Sequence, residues 1–360
     1  MLTRSMLTRR RSLMLGAGLV GSLALSGRAF ADTIADATIS GVGDMVKGTK
    51  KDGPYRIGFS NGFSGNTWRT MCTRAVENEA KAQGSAIAEF VVVDGQGDIT
   101  KQVNDIETLI NQQVDAILCI PNSGSAVAPV LAEATREGIV TVPFNLPVDG
   151  TDWSTYVGTD PERKGKALGE WLNTALGGKG KIVALGGLPG NSYTAAAWAG
   201  AQSALGSGVE VLAFKDAYWE EDRAKTVMAD LIAAFPEIDG VWCDGGQVGA
   251  GAMKALLAAN RPLVPVTGDD YNGLLKMYLA ERAAQPKFDI GLMSEPTWQS
   301  VVALRAALTL LGGGEVAKQQ VIQPQLITKA NVEKFVRPDM ADGVFVDTNL
   351  SAEELKQIFG

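Results

Sequence analysis

Histidine is absent from all 360 residues of this chain. That removes the Ser-His and Cys-His nucleophile pairs and the commonest metal ligand. The 3 cysteines, Cys72, Cys119 and Cys243, are widely spaced on helix or strand patterns. An oxidising compartment would permit one bridge, but a chain of this length needs none, and buried free thiols are expected. No Gly-x-x-x-x-Gly-Lys-Ser/Thr loop is present, which excludes an NTPase cradle. The apolar run 13–25 is too short and too glycine-rich (Gly16, Gly18, Gly21) for a membrane span. Charge is modest, at 20%, and hydrophobic content is 46%, the balance of an ordinary globular protein with room for two cores.

Residues 1–31 read as an export signal. Arg4, Arg9, Arg10 and Arg11 precede the apolar run, and Ala29-Phe30-Ala31 offers a small-x-small cleavage site before Asp32. Residues 8–13, TRRRSL, resemble a twin-arginine signal, an address read by a receptor, with a Sec signal as the alternative. No cysteine follows the cleavage site, which argues against a lipid anchor. Removing the segment leaves 28 basic against 40 acidic residues, a net charge of −12. An acidic surface argues against nucleic acid and anionic membrane as partners.

After a polar lead-in (32–54), strand-like and helix-like windows alternate. Strands are expected at 56–60, 89–94, 116–121, 140–145, 154–158, 181–186, 210–215, 240–244, 263–267 and 289–293. Helices are expected at 71–83, 100–112, 126–137, 164–175, 194–204, 223–234, 249–259 and 297–311. Segments 117–120 and 182–185 are apolar on successive residues, so both faces are buried, as in parallel sheets covered by helices. The pattern is α/β and runs about twice the length of one doubly wound unit, which implies two parallel-sheet lobes. The strand ends are polar: Ser60-Asn61, Asp94-Gly95-Gln96, Pro121-Asn122-Ser123, Asn145, Asp244-Gly245 and Gly268-Asp269-Asp270. Ligands of open α/β sheets bind outside the carboxyl ends of strands, so these tips should converge on one cleft. Segment 55–71, YRIGFSNGFSGNTWRTM, is built like a wall of that cleft: a strand, then a Gly-punctuated loop, then Trp68 and Arg69 opening a helix. An indole stacks on the apolar face of a ring, and a guanidinium hydrogen-bonds hydroxyls.

Over about 55–327 the chain resembles the type I periplasmic sugar-binding proteins of ABC importers, the ribose-binding-protein group. The landmarks are Phe59-Ser60 with Asn66, Trp68 and Arg69; Gln102 and Ile106 followed by Val114 to Pro121; Gly158-Thr159-Asp160 with Gly165 and Gly169; Gly186 to Ser192; and Gly268-Asp269-Asp270. The resemblance implies two lobes joined by a three-crossover hinge that closes on one sugar, and delivery of that sugar to a membrane permease. It places a first lobe at 55–157 plus 296–320, and a second lobe at 158–295 plus 321–360 with the C-terminal tail. It implies a periplasmic location, no enzymatic activity, no cofactor and a monomer. Trp68-Arg69 is shared with galactofuranose-binding relatives.

Carried over by position, Asn66 bonds a hydroxyl, Trp68 and Trp219 stack, Arg69 donates bidentately, and Asp270 grips hydroxyls. Asn122, Asn145, Asn191, Tyr193, Asp244, Gln247 and Glu295 complete the expected ligand contacts. Each has a plainer reading. Asn66 and Asp270 are good helix N-caps, Asn122 and Asn145 suit capping turns, and Arg69 suits a rim salt bridge. Asp269 rivals Asp270 for its role. Trp298 is expected against the hinge, and Trp171, Trp198 and Trp242 in the core. The family's Asp-Arg pair reads Asn145-Leu146 here, and its second-lobe Arg reads Ala197, so two guanidiniums are lost. That makes ribose doubtful and favours a polyol, a deoxy sugar or another pentose. The competing functions are a periplasmic partner that presents ligand to a sensor or chemoreceptor, and a secreted glycosidase, which would need two carboxylates flanking a bond.

Overall fold

The computed structural model describes residue 34 and residues 37–360, so the export-signal reading of 1–31 lies outside the described residues. The order begins β1 (Ile39–Lys47), β2 (Tyr55–Asn61), α1 (Thr67–Ala82), β3 (Ile87–Asp94), α2 (Ile99–Asn111), β4 (Ala116–Ile120), α3 (Gly124–Arg136) and β5 (Val140–Pro143). It continues through β6 (Tyr156–Gly158), α4 (Pro161–Ala175), β7 (Lys179–Gly186), α5 (Ser192–Ala204), β8 (Gly208–Asp216), α6 (Glu221–Ala234), β9 (Gly240–Cys243) and α7 (Gly246–Ala258). It closes with β10 (Val266–Gly268), α8 (Asn272–Glu281), β11 (Ile290–Met293), α9 (Gln299–Leu311), β12 (Glu315–Ile322), β13 (Leu326–Thr328) and α10 (Ala352–Phe359).

The polar strand tips double as helix caps. Side-chain oxygens of Asn66, Asp98, Ser123, Asp160 and Asn191 accept backbone N–H bonds at the starts of α1 to α5. Those are the donors that a helix start leaves unpaired. Between the caps, strands such as β4 and β9 are buried at every residue, so their sheets are covered on both faces.

Two sheets form the two lobes. The first has the order β3-β2-β4-β5 and is parallel throughout. The second has the order β13-β11-β10-β9-β7-β8, parallel except for β13, which runs against β11. The chain passes between them after β5, after β11, and again between β12 and β13. A third sheet, β1-β12-β6, lies on this path. β1 and β12 were not anticipated. The lead-in read as polar coil because β1 carries two glycines and exposes most of its side chains, and its strand character comes from antiparallel pairing with β12. β12, EVAKQQVI, alternates too weakly to stand out.

Lobe packing requires close helix approach. On α4, a Cβ at Gly165 would lie 1.8 Å from the carbonyl oxygen of Ala197 on α5. Ala197, where the resemblance expected an Arg in related proteins, is therefore a buried packing residue. Trp242 and Trp298 are fully buried, and Cys72, Cys119 and Cys243 are buried free thiols. Burial pushes the Cys72 and Cys119 thiols up to about 12. Among the described residues no helix is long and apolar enough to cross a membrane. The expected amphipathic helix near the end is α10, started by a reciprocal Ser351–Glu354 capping box. It packs on α1 of the first sheet.

Candidate functional site

Loops at the carboxyl ends of both sheets line a narrow cleft with a cavity volume of about 40 Å³, far below that of an ordinary ligand pocket. One wall holds Asn66, Trp68, Arg69, Asn145 and Leu146, and the other holds Tyr193, Trp219, Asp244, Gln247, Asp269 and Glu295.

The first wall presents donors. Asn66 caps α1 by accepting from the Arg69 N–H at 2.9 Å, and its side-chain nitrogen makes no bond within the described residues. The cap therefore orients the amide that faces the cleft. The Trp68 indole N–H donates to the Glu295 carbonyl at 2.7 Å, which fixes the ring against the cavity. Arg69 is 3% exposed, and the one hydrogen bond of its guanidinium within the described residues goes to the neutral Asn61 Oδ1 at 2.7 Å. No carboxylate forms a salt bridge with it there, so the rim ion pair does not occur. Burial lowers its pKa to about 10, and most of its donors remain unused.

The second wall presents acceptors. Asp244 accepts from Thr194 Oγ1 at 2.6 Å and from the Trp219 indole N–H at 3.0 Å. Burial pushes it up to about 6, with the Thr194 bond, the Lys164 charge and the Trp219 bond pulling the other way. Asp269 accepts the Gly246 N–H at 2.6 Å through Oδ1. Burial raises it well above the usual carboxylate range against the pull of Lys164. Gln247 donates to the Trp219 carbonyl at 3.2 Å, while its Oε1 is buried without a donor. Trp219 sits in a slot between two glycines: a Cβ at Gly187 would meet its ring at 2.2 Å, and one at Gly245 at 3.0 Å. Tyr193 meets the indole edge-on, at 6.3 Å between centroids.

Glu295 joins the walls. Its carboxylate accepts from Asn145 Nδ2 at 3.0 Å, Gln299 Nε2 at 2.6 Å, Tyr193 OH at 2.8 Å and Lys164 Nζ at 2.8 Å, with Thr159 Oγ1 at 3.3 Å from both oxygens. A carboxylate offers about four lone-pair sites, so this one is saturated and positions its neighbours instead of gripping a ligand. Burial opposes the Lys164 charge, yet the Glu295 carboxylate overrides it and lifts the ammonium well above its ordinary value. The carboxylate charge likewise adds to burial in raising Tyr193.

Three expected contacts do not line the cavity. Asp270 is fully buried and accepts the Glu295 N–H at 2.8 Å and the Asp347 N–H at 2.6 Å, so its oxygens hold backbone, and Asp269 faces the cleft in its place. Asn191 caps α5 and donates across the cleft to the Asn122 carbonyl at 3.2 Å. Asn122 is held by Gly62 and Gln102. These two asparagines close the rim, one lobe to the other.

A larger depression, about 730 Å³, lies at the opposite ends of the second-lobe strands. Among its lysines, Lys181 pairs with Glu237 at 2.8 Å and Lys329 with Asp289 at 2.6 Å. No group of His, Cys, Asp or Glu among the described residues is placed to hold a metal.

The periplasmic binding protein domain family matches residues 57–315. This chain is a periplasmic binding protein. It is 27% identical over 271 residues to the ribose import binding protein RbsB of Bacillus subtilis, covering 75% of this chain and 86% of that protein. It is 30% identical over 302 residues to a xylitol-binding protein of Mycolicibacterium smegmatis, covering 82% of each. A solved solute-binding protein of an ABC transporter from Mycobacterium smegmatis, with bound glycerol, superposes with a TM-score of 0.71 at 27% identity, over 80% of this chain and 98% of that one. One from Thermobispora bispora gives 0.74 at 24%, over 84% and 94%.

The sequence of this periplasmic binding protein hid several site residues. Lys164 and Gln299 sit on ordinary amphipathic helices, and only Lys164's burial opposite Glu295 reveals it. Thr159 stood out only within the Gly158-Thr159-Asp160 landmark, and Thr194 only as the first residue of an expected helix.

Proposed function

We propose that this periplasmic binding protein captures one small, neutral, hydroxyl-rich molecule, a polyol or compact sugar, and delivers it to the permease of an ABC importer as a monomer exported by its N-terminal signal. The observation that carries the reading is the split polarity of a closed cavity. Arg69 and the Asn66 amide offer unused donors on one wall, while Asp244, Asp269 and the orphaned Gln247 Oε1 offer acceptors on the other. A hydroxyl both donates and accepts, so a polyol bridging the walls satisfies both. An anion would face two carboxylates and a cation would face Arg69, which favours a neutral ligand. Trp68 and Trp219 supply apolar faces for its carbon chain.

Leu146 leaves one wall without a second guanidinium, which favours a polyol over ribose. The names of the relatives, ribose-binding and xylitol-binding, agree with the general class. The test is calorimetric titration against ribose, xylitol, other pentitols and deoxy sugars, with each ligand recovered and checked for chemical change. Tight binding of a polyol, recovered intact, is expected. Submicromolar ribose binding with polyols silent overturns the polyol preference, and a chemically altered ligand overturns the non-enzymatic reading. Loss of polyol uptake on deletion, with sensing responses intact, separates delivery to a permease from presentation to a sensor.

A further inference from the structure

We propose that residues 329–360 form a strap that limits how far the two cleft walls separate, and so sets the affinity of the site; this rests on the cleft being the ligand site. The segment lies beyond the family match, which ends at 315. It is not a loose tail, because Val344, Phe345, Val346, Leu350 and Leu355 are all buried.

The strap is anchored first on the second lobe. Lys329 pairs with Asp289 at 2.6 Å and Glu333 with Arg282 at 2.8 Å. The Asn272 side chain contacts the carbonyls of Arg337, Met340 and Ala341 at 2.8 to 3.3 Å and accepts the Arg337 N–H at 2.9 Å. The chain then crosses to the first lobe. Asp347 is the crossing point: its N–H donates to Asp270, while its carboxylate accepts the Trp298 indole N–H at 2.8 Å next to α9. Phe345 packs on Tyr271 at 5.6 Å and directs its N–H at Met71 Sδ, 3.5 Å away, on α1. Asn78 of α1 donates to Glu354 of α10 at 2.5 Å.

The strap therefore grips the back of each cleft wall. On α1, Trp68 and Arg69 face the cavity while Met71 meets the strap. At the start of α8, Asp269 faces the cavity while Asp270 holds Asp347. Moving the walls apart separates α1 from α8, and that requires breaking strap contacts on one of them. The ligand-free equilibrium is thereby biased toward the closed arrangement, and a site that is more often competent binds more tightly in proportion.

The experiment uses full-length protein with labels at Ser125→Cys and Pro189→Cys, exposed residues on opposite lobes; the native thiols are buried and stay unlabelled. Interlobe distances are measured by paired spin labels without ligand, and xylitol binding by calorimetry. One variant deletes residues 351–360. A second, Asn78→Ala with Glu354→Ala, answers if the deletion fails to fold by circular dichroism. In the folded variant the distance distribution should broaden to longer values and the xylitol Kd should rise about tenfold. An unchanged distribution in the folded variant overturns the strap. If distances lengthen but xylitol binds neither protein, the strap stands and the xylitol reading falls.

Discussion

Replacing Arg69 with methionine separates binding from folding. The guanidinium is buried, meets no carboxylate among the described residues, and makes a single bond, to Asn61. Its pKa falls from 12.5 to about 10 through burial. At about 1.4 kcal/mol per unit, holding the charge there costs the closed fold about 3 kcal/mol below pH 10. Methionine removes that cost and keeps most of the apolar stem's packing. It also gives up the charge-assisted bond to Asn61, worth about 1.5–3 kcal/mol, and the two effects nearly cancel. Stability by urea denaturation should therefore change by less than about 2 kcal/mol. Binding should behave differently. Losing even one charge-assisted bond to a ligand hydroxyl costs about 1.5–3 kcal/mol, or about 10- to 100-fold in Kd for whichever polyol titrates best. A variant that binds as wild type refutes the donor role. One that loses several kcal/mol of stability refutes the argument that this charge is uncompensated.

Lys164→Met strands Glu295 as a buried charge and should cost about 3–5 kcal/mol in urea unfolding, most of it recovered by adding Glu295→Gln; no recovery would mean that the pair is not the cause. Burial first, and the Asp347 charge next, lift Asp270 from 3.8 to about 7. A carboxyl raised on folding stabilises by holding its proton, fully so below pH 3.8, and the contribution is lost as pH rises through about 7. Stability should thus fall across that window, and Asp347→Asn, which keeps an acceptor for Trp298, should flatten the slope; identical slopes in thermal melts at stepped pH would refute it. Gly187→Ala drives a methyl into the Trp219 ring, so indole fluorescence should shift and polyol affinity should drop at least about tenfold; an unmoved indole would show that the slot is not tight.

The alternation of helices and buried strands was plain in the sequence because central parallel strands are apolar on successive residues, as in Ile117 to Ile120 and Ile182 to Leu185. Strand ends were less so. β10 begins at Val266, three residues later than expected, since Leu263 and Val264 are buried without entering the ladder. β1 stayed hidden because its partner lies more than 260 residues away and it buries little of its own surface. In the cleft, aromatic and charged side chains at loop ends could be read from position alone. Which of Asp269 and Asp270 faces the cavity could not, because adjacent residues point opposite ways and the strap that claims Asp270 has no pattern of its own. Asn122 and Asn191 show the same limit, since an amide that closes a rim looks like one that holds a ligand.

Tyr218 and Trp219 both adopt positive φ, 61° and 54°, a conformation that bulky side chains rarely take. The two-glycine slot and the bond to Asp244 hold the indole in that pose. The consequence concerns entropy. A ring already immobile before the ligand arrives has no rotamer freedom left to lose, so association is spared an ordering term of about 0.5–1.5 kcal/mol for that side chain. The folded protein carries this local strain permanently, and the cleft is the better stencil for it.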